Sequence, residues 1–136
     1  TVITNSLPVL NALAGVEGIT VISLGGILRD SELSFIGHIT EQSLAELRAD
    51  KVIIGARAIS LEHGLTNDYL PETQTDRAIL KVGREVILVA DHSKINRVST
   101  TFLAPLTDID KLVTDKQTPR AFISALKVQG IGLIVV

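Results

Sequence analysis

Cysteine is missing altogether from the 136 residues of this chain. Its absence excludes disulfides and cysteine-ligated metal sites, leaves stability to packing, and suits a reducing compartment. Aromatic residues make up only 3% against a hydrophobic fraction of 46%. The core therefore has to be assembled from Val, Ile, Leu and Ala, a composition that suits a parallel sheet covered by helices. An excess of one charge is also lacking: 13 basic residues meet 15 acidic ones, for a net charge of −2. No overall field draws the chain to a nucleic-acid backbone or an anionic membrane. No apolar run nears the ~20 residues of a membrane span, and Thr1 is followed by neither a basic segment nor a small-residue cleavage site. His38, His63 and His92 lack the spacing of metal ligands. The expectation is a cytoplasmic domain with no metal, no cofactor and no membrane contact.

What is present is a regular alternation of strand and helix signals in a length suited to one domain. Val2 and Ile3 read as a strand end, and Leu7, Leu10 and Leu13 share a helix face behind an Asn5-Ser6 cap. Strands are expected over Ile19–Leu24, around Ile27 and Leu28, over Val52–Ile54 and Glu85–Ala90, near Thr101–Leu103 and Lys111–Val113, and over Gly132–Val136. Helices are expected from Ile39 to Leu47, from Pro71 to Val82, and from Pro119 through Phe122, Ala125 and Leu126 to a stop at Gly130. Arg57 to Tyr69, with Gly64, Asn67 and Asp68, reads as loop. The order predicts an α/β fold with a mostly parallel sheet flanked by helices. Because it opens on Val2 with no turn before it and closes on bare valines, the chain reads as a piece of a multidomain protein.

The segment with most chemical content is Asp91-His92-Ser93-Lys94, directly after the apolar run ending at Ala90. Open α/β sheets bind ligands at the carboxyl ends of their strands. There a carboxylate can accept from sugar hydroxyls, while Ser93 and Lys94 can hold a phosphate. The plain alternative is a local ion pair on a solvated loop. Asn5 can donate to a ligand at the start of the first helix or simply cap that helix. Gly25 and Gly26 fit either a tight turn or a close approach to a ligand. Glu72 and Arg77 are five residues apart and do not stack on one helix face. Arg77 is favoured as a ligand or subunit contact, and Glu72 as electrostatics at the helix start.

These elements fall in a particular order. Thr4-Asn5-Ser6 is followed by Gly25-Gly26, Ser34-Phe35-Ile36-Gly37, Asp50-Lys51 with Gly55-Ala56, and Gly64-Leu65-Thr66. Then come Glu72, Asp76-Arg77-Ala78-Ile79, Asp91-His92-Ser93-Lys94 and Thr114-Asp115. In this the chain resembles, over nearly its whole length, the C-terminal effector-sensing domain of DeoR-type bacterial transcriptional repressors. The resemblance implies a fold similar to pentose-phosphate isomerase and glucosamine-phosphate deaminase, and a phosphorylated sugar or related metabolite as effector. It also implies a homo-oligomer, with DNA contacted only through an N-terminal winged helix-turn-helix absent from this sequence. The family's first sensor strand, with its phosphate loop, would precede Thr1 and is likewise absent. Asp91 would contact hydroxyls and Lys94 phosphate, with Gly55 and Ala56 lining the same cleft. Ala58 stands where most relatives have glycine, which implies local strain, and Arg57 is then a candidate anion ligand. The alternative is a sugar-phosphate isomerase or deaminase-like enzyme, but the loop Gly55-Ala56-Arg57-Ala58-Ile59 holds no acid for proton transfer. A module that only assembles is the third possibility; self-association of the domain is expected through the apolar sequence around Leu33, Phe35 and Ile36.

Overall fold

The computed structural model describes all 136 residues. The elements run β1 (Val2–Thr4), α1 (Leu7–Leu13), β2 (Val21–Ser23), β3 (Ile27–Arg29), β4 (Ser34–Ile36), α2 (His38–Ala45), β5 (Ala49–Ile54), β6 (Ala58–Ser60) and β7 (Gly64–Asn67). They continue with α3 (Leu70–Leu80), β8 (Gly83–Val89), β9 (Thr101–Ala104), β10 (Lys111–Thr114), α4 (Arg120–Val128) and β11 (Gly132–Val135). The fold is α/β, with a mostly parallel sheet flanked by helices, as the alternation of signals predicts.

The central sheet is parallel and four-stranded, in the order β11-β10-β8-β5. Its register sets Val52 beside Val86 and Ile54 beside Leu88, with Leu88 in turn beside Leu112. These side chains share one face, buried under Phe122 and Leu126 of α4 and Ala78, Ile79 and Leu80 of α3. The other face stays partly open, since Ile53 is 71% exposed in the edge strand β5. The run Val86-Ile87-Leu88-Val89 thus obeys a period of two rather than being buried on both sides. Helix α4 ends as its sequence predicts: Gly130 takes a positive φ of 81°, and Ile131 N–H returns to Leu126 O, closing a Schellman motif.

The sequence misleads in two places. Arg57–Tyr69 is not a loop: β6 and β7 form an antiparallel hairpin that β9 joins to make a three-stranded sheet. Its residues Ala58, Ile59, Leu65, Thr66 and Asn67 are all buried. Gly64, at φ 68° against Ala104 O, is the turn inside this hairpin rather than a sign of irregular chain. Ala58 lies in regular β6 opposite Thr66 and not at a positive φ, so the expected strain there is absent. Nor do β2 and β3 pair around Gly25-Gly26. Strand β2 pairs in parallel with β1, and β3 pairs with β4 as a separate antiparallel ribbon.

Glu85 stitches the start of the central sheet together. Its carboxylate accepts from Lys111 of β10 and Lys51 of β5, and these two bonds, Lys111's first, hold its pKa down to about 2. A depressed carboxyl pKa contributes stability that is present above the ordinary glutamate value and lost as pH falls toward the folded one. Between about pH 4.5 and pH 2, Glu85→Gln is therefore expected to lose less stability than the wild type. Urea midpoints measured across that window would check it, and parallel curves would count against the network.

Candidate functional site

Parallel pairing brings three strand ends level. Ile54 lies beside Leu88 and Val89 beside Val113, so Gly55, Ala90-Asp91 and Thr114-Asp115 leave the sheet together at its carboxyl edge. Ala90 N–H continues the ladder to Val113 O. Beyond it, Asp91 caps a single 3-10 turn over His92–Lys94, its Oδ1 accepting from Ser93 N–H at 2.7 Å. Hydrogen bonding from Ser93, side chain before backbone, holds the Asp91 carboxyl below its ordinary range, and the nearby Lys94 charge adds to this. Asp91 is exposed and Lys94 half-buried. Ile95 then bridges to Ile59, which seats the turn against β6.

Asp115, from the Thr114-Asp115 motif, completes this edge. Its Oδ2 accepts from His92 N–H at 2.8 Å and lies 2.9 Å from His92 Nδ1, while Oδ1 accepts from Gln117 N–H at 2.7 Å. These bonds, the His92 backbone first, lower its pKa. Asp91, His92 and Asp115 place ligand-type atoms within 4.8 Å of one another. Their oxygens are engaged by N–H groups of the same two turns, which accounts for the cluster without an ion. His92 thus links the exits of β8 and β10.

Asn5 does not cap the first helix. Ser6 does so, accepting from Val9 N–H at 3.4 Å, and the Asn5 side chain instead donates to Phe35 O at 3.0 Å while Phe35 N–H donates to Asn5 O at 2.7 Å. Asn5 thereby fastens the β3–β4 ribbon to the carboxyl end of β1. The ribbon is fastened on its other side by Glu72 of α3, which pairs with Arg29 and accepts from Ser34 Oγ at 3.2 Å. Arg29 also lies 4.5 Å from the centre of the Tyr69 ring, a cation–π contact. No hydrogen bond or ion pair joins Asn5 directly to Asp91, Ser93 or Lys94.

The remaining sequence candidates divide. Gly26 does make a close approach, but to the protein's own Ile36 O and Thr40, while Gly25 O accepts from Thr40 Oγ1 at 2.6 Å. Gly55 and Ala56 lie at the carboxyl edge, and the backbone of Gly55 passes Val89 O. The Arg57 guanidinium is held by Glu32 and Asp68, so it is not a free anion ligand. Arg77 points elsewhere: it donates to Phe102 O and lines a concavity of about 630 Å³ with Lys81, Gly83 and Arg84, at the amino end of β8. Glu72, in the first turn of α3, faces the ribbon, and Arg77 does not.

Asp76, noted in the sequence only within the Asp76-Arg77-Ala78-Ile79 motif, is a partly buried acid beside this region. It lies four residues after Glu72, the spacing of one helix face, and accepts from Asn67 Nδ2 at 2.8 Å. Asn67 in turn accepts from Arg57 N–H at 3.1 Å through Oδ1, so Asp76 reaches the exit of β5 through one side chain. Burial first, then the neighbouring Glu72 charge, push the Asp76 pKa up to about 7, against the Asn67 hydrogen bond and the Arg29 charge.

No helix is long and apolar enough to cross a membrane. Comparison with known proteins agrees with the ordered motifs. Residues 1–116 match the family model described as the DeoR C terminal sensor domain. The chain is 36% identical over 135 residues to the HTH-type transcriptional repressor GlcR of Bacillus subtilis, covering 99% of this chain and 52% of that protein. It is 34% identical over 119 residues to the transcriptional repressor AccR of Agrobacterium fabrum, covering 87% and 46%. With the glycerol-3-phosphate regulon repressor of Escherichia coli it shares 32% identity over 125 residues, covering 92% and 50%. The chain spans about half the length of these relatives. It belongs to the DeoR C-terminal sensor-domain family of transcriptional repressors.

Proposed function

We propose that this domain senses a phosphorylated sugar or a related phosphorylated polyol, and that occupancy controls operator binding by a DNA-binding domain elsewhere in the intact protein. The observation that carries this reading is the level carboxyl edge of β5, β8 and β10, where Asp91, Ser93 and Lys94 are grouped. Asp91, kept ionised by Ser93, accepts from ligand hydroxyls. Lys94 supplies the charge for phosphate, Ser93 a hydroxyl donor, and Gly55 and Ala56 an approach free of bulky side chains. The relative named for the glycerol-3-phosphate regulon supports a phosphorylated small molecule as the chemical class. A ligand that binds two domain states with different affinity has that difference available to release or retain DNA. Sensing needs no reaction, and the relatives are named as repressors rather than enzymes.

The open edge of β5 leaves room for a further strand to pair there. Homo-oligomerisation belongs to the same reading. Ile36 is buried and unavailable, whereas Ile27, Leu28 and Leu33 are exposed on the ribbon and offer the apolar contact. Sedimentation of the full-length protein should show a dimer or larger assembly at micromolar concentration, and a strict monomer would remove this part of the proposal.

The direct test is a thermal-shift panel on the full-length protein with sugar phosphates, polyol phosphates, the matching unphosphorylated compounds and inorganic phosphate. A true effector at a hundred times its dissociation constant should add about 2.7 kcal/mol of stability. A flat response across the panel would leave an assembly module as the better account.

A further inference from the structure

Asp76 carries a feature that the effector site does not use. Two carboxylates, Glu72 and Asp76, face one guanidinium from the same side of α3, and Glu72 has it: Arg29 is paired with Glu72, which also accepts from Ser34. Asp76 is left with a neutral partner, Asn67 of β7. Asn67 is itself buried and fixed at its other end by Arg57 N–H. The Arg57 side chain offers no charge to Asp76, being spent on Glu32 and Asp68. The charged groups bearing on Asp76 are thus Glu72 from its own helix and Arg29 from β3.

We propose that Asp76 is a proton-operated latch on the β3–β4 ribbon. Asp76 accepts from Asn67 in either protonation state, and with its proton it leaves Arg29 wholly to Glu72. Without it, two charges contest one cation in a partly desolvated space, and the ribbon's grip on α3 loosens. The same ribbon holds Asn5 and, through Leu33 O to Leu7 N–H and the Ser6–Ser34 bridge, the start of α1. The latch therefore sets how firmly the carboxyl end of β1 is held, whatever the effector is.

The direction follows from linkage. A carboxyl held near neutrality in the closed state, and near its ordinary 3.8 in the open one, makes closure less favourable as pH rises between those values. From about pH 6 to about pH 8 the closed state should lose on the order of ten-fold in its population relative to the open state.

Hydrogen exchange across a pH series on the full-length protein tests this, with amide rates in residues 26–36 corrected for their intrinsic pH dependence. In the wild type, protection of this segment should fall about ten-fold from pH 6 to pH 8 while the central sheet is unchanged. Asp76→Asn, which still accepts from Asn67 but cannot ionise, should remove the pH dependence. Glu72→Gln frees Arg29 for Asp76 and removes the neighbouring charge, so the midpoint should move to lower pH even if the segment is less protected throughout. Equal wild-type protection at the two pH values would overturn the latch, as would a fall that persists in Asp76→Asn. Should Asp76→Asn fail to fold, a midpoint unmoved by Glu72→Gln would overturn it as well.

Discussion

Replacing Lys94 with alanine in the full-length repressor is expected to weaken effector binding by roughly ten- to a hundred-fold, the loss of a charge-assisted bond of about 1.5 to 3 kcal/mol. Lys94 closes the 3-10 turn after β8, is half-buried, and takes no part in the ion pairs that occupy Arg29, Lys51, Arg57 and Lys111. Its charge is therefore available to a ligand. Folding should hardly change, because Ile95 and the Asp91 cap, not Lys94, seat the turn. Operator binding without effector should survive, giving a protein whose DNA binding no longer responds when the metabolite appears. Calorimetry with the phosphate ester identified in the thermal-shift panel gives the affinity. An unphosphorylated analogue should lose little further on mutation. If the variant bound the ester as tightly as the wild type, the phosphate role of Lys94 would be wrong.

What could be read from the sequence follows the range of the interactions involved. The parallel sheet and its helices were legible because their signals are local and repeated: Val52 and Ile54, Val86 and Leu88, and the Phe122 to Leu126 stripe each carry their own period. The turn after Ala90 was legible for the same reason, since Asp91 caps its own next residues. The β6–β7 hairpin was not, because Gly64, Asn67 and Asp68 look like loop residues until β9 arrives from more than 30 positions away to pair with Leu65, Thr66 and Asn67. Asn5 and Glu72 each had a sensible local role as cap or helix-start charge, and both were claimed instead by a distant ribbon. Asp76 had a signal that went unused. Its four-residue spacing from Glu72 is plain in the sequence, but a second acid on one helix face becomes unusual only with burial and a single shared arginine.

Gly26→Ala should be strongly damaging, lowering stability by about 2 to 4 kcal/mol. A Cβ there would stand 2.3 Å from Thr40 Oγ1 and 2.7 Å from Ile36 O, on a residue whose φ is +145°. Neither neighbour can yield easily. Thr40 is fully buried with its hydroxyl bonded to Gly25 O, and Ile36 O is backbone at the end of β4. Relief would push α2 and the ribbon away from the β2–β3 connection, disturbing the same ribbon that holds Asn5. Gly15→Ala is the matched control, at φ +78° with nothing within 4 Å of the added carbon. It carries only the backbone cost of about 1 to 2 kcal/mol. Thr40→Ala in the Gly26→Ala background should recover part of the loss and not all, since the clash with Ile36 O and the unfavourable φ remain. Urea unfolding of the four proteins orders these expectations directly. Equal costs for Gly26→Ala and Gly15→Ala would mean that the packing of α2 against the Gly25-Gly26 turn is loose, and that this turn owes its glycines to backbone angle alone.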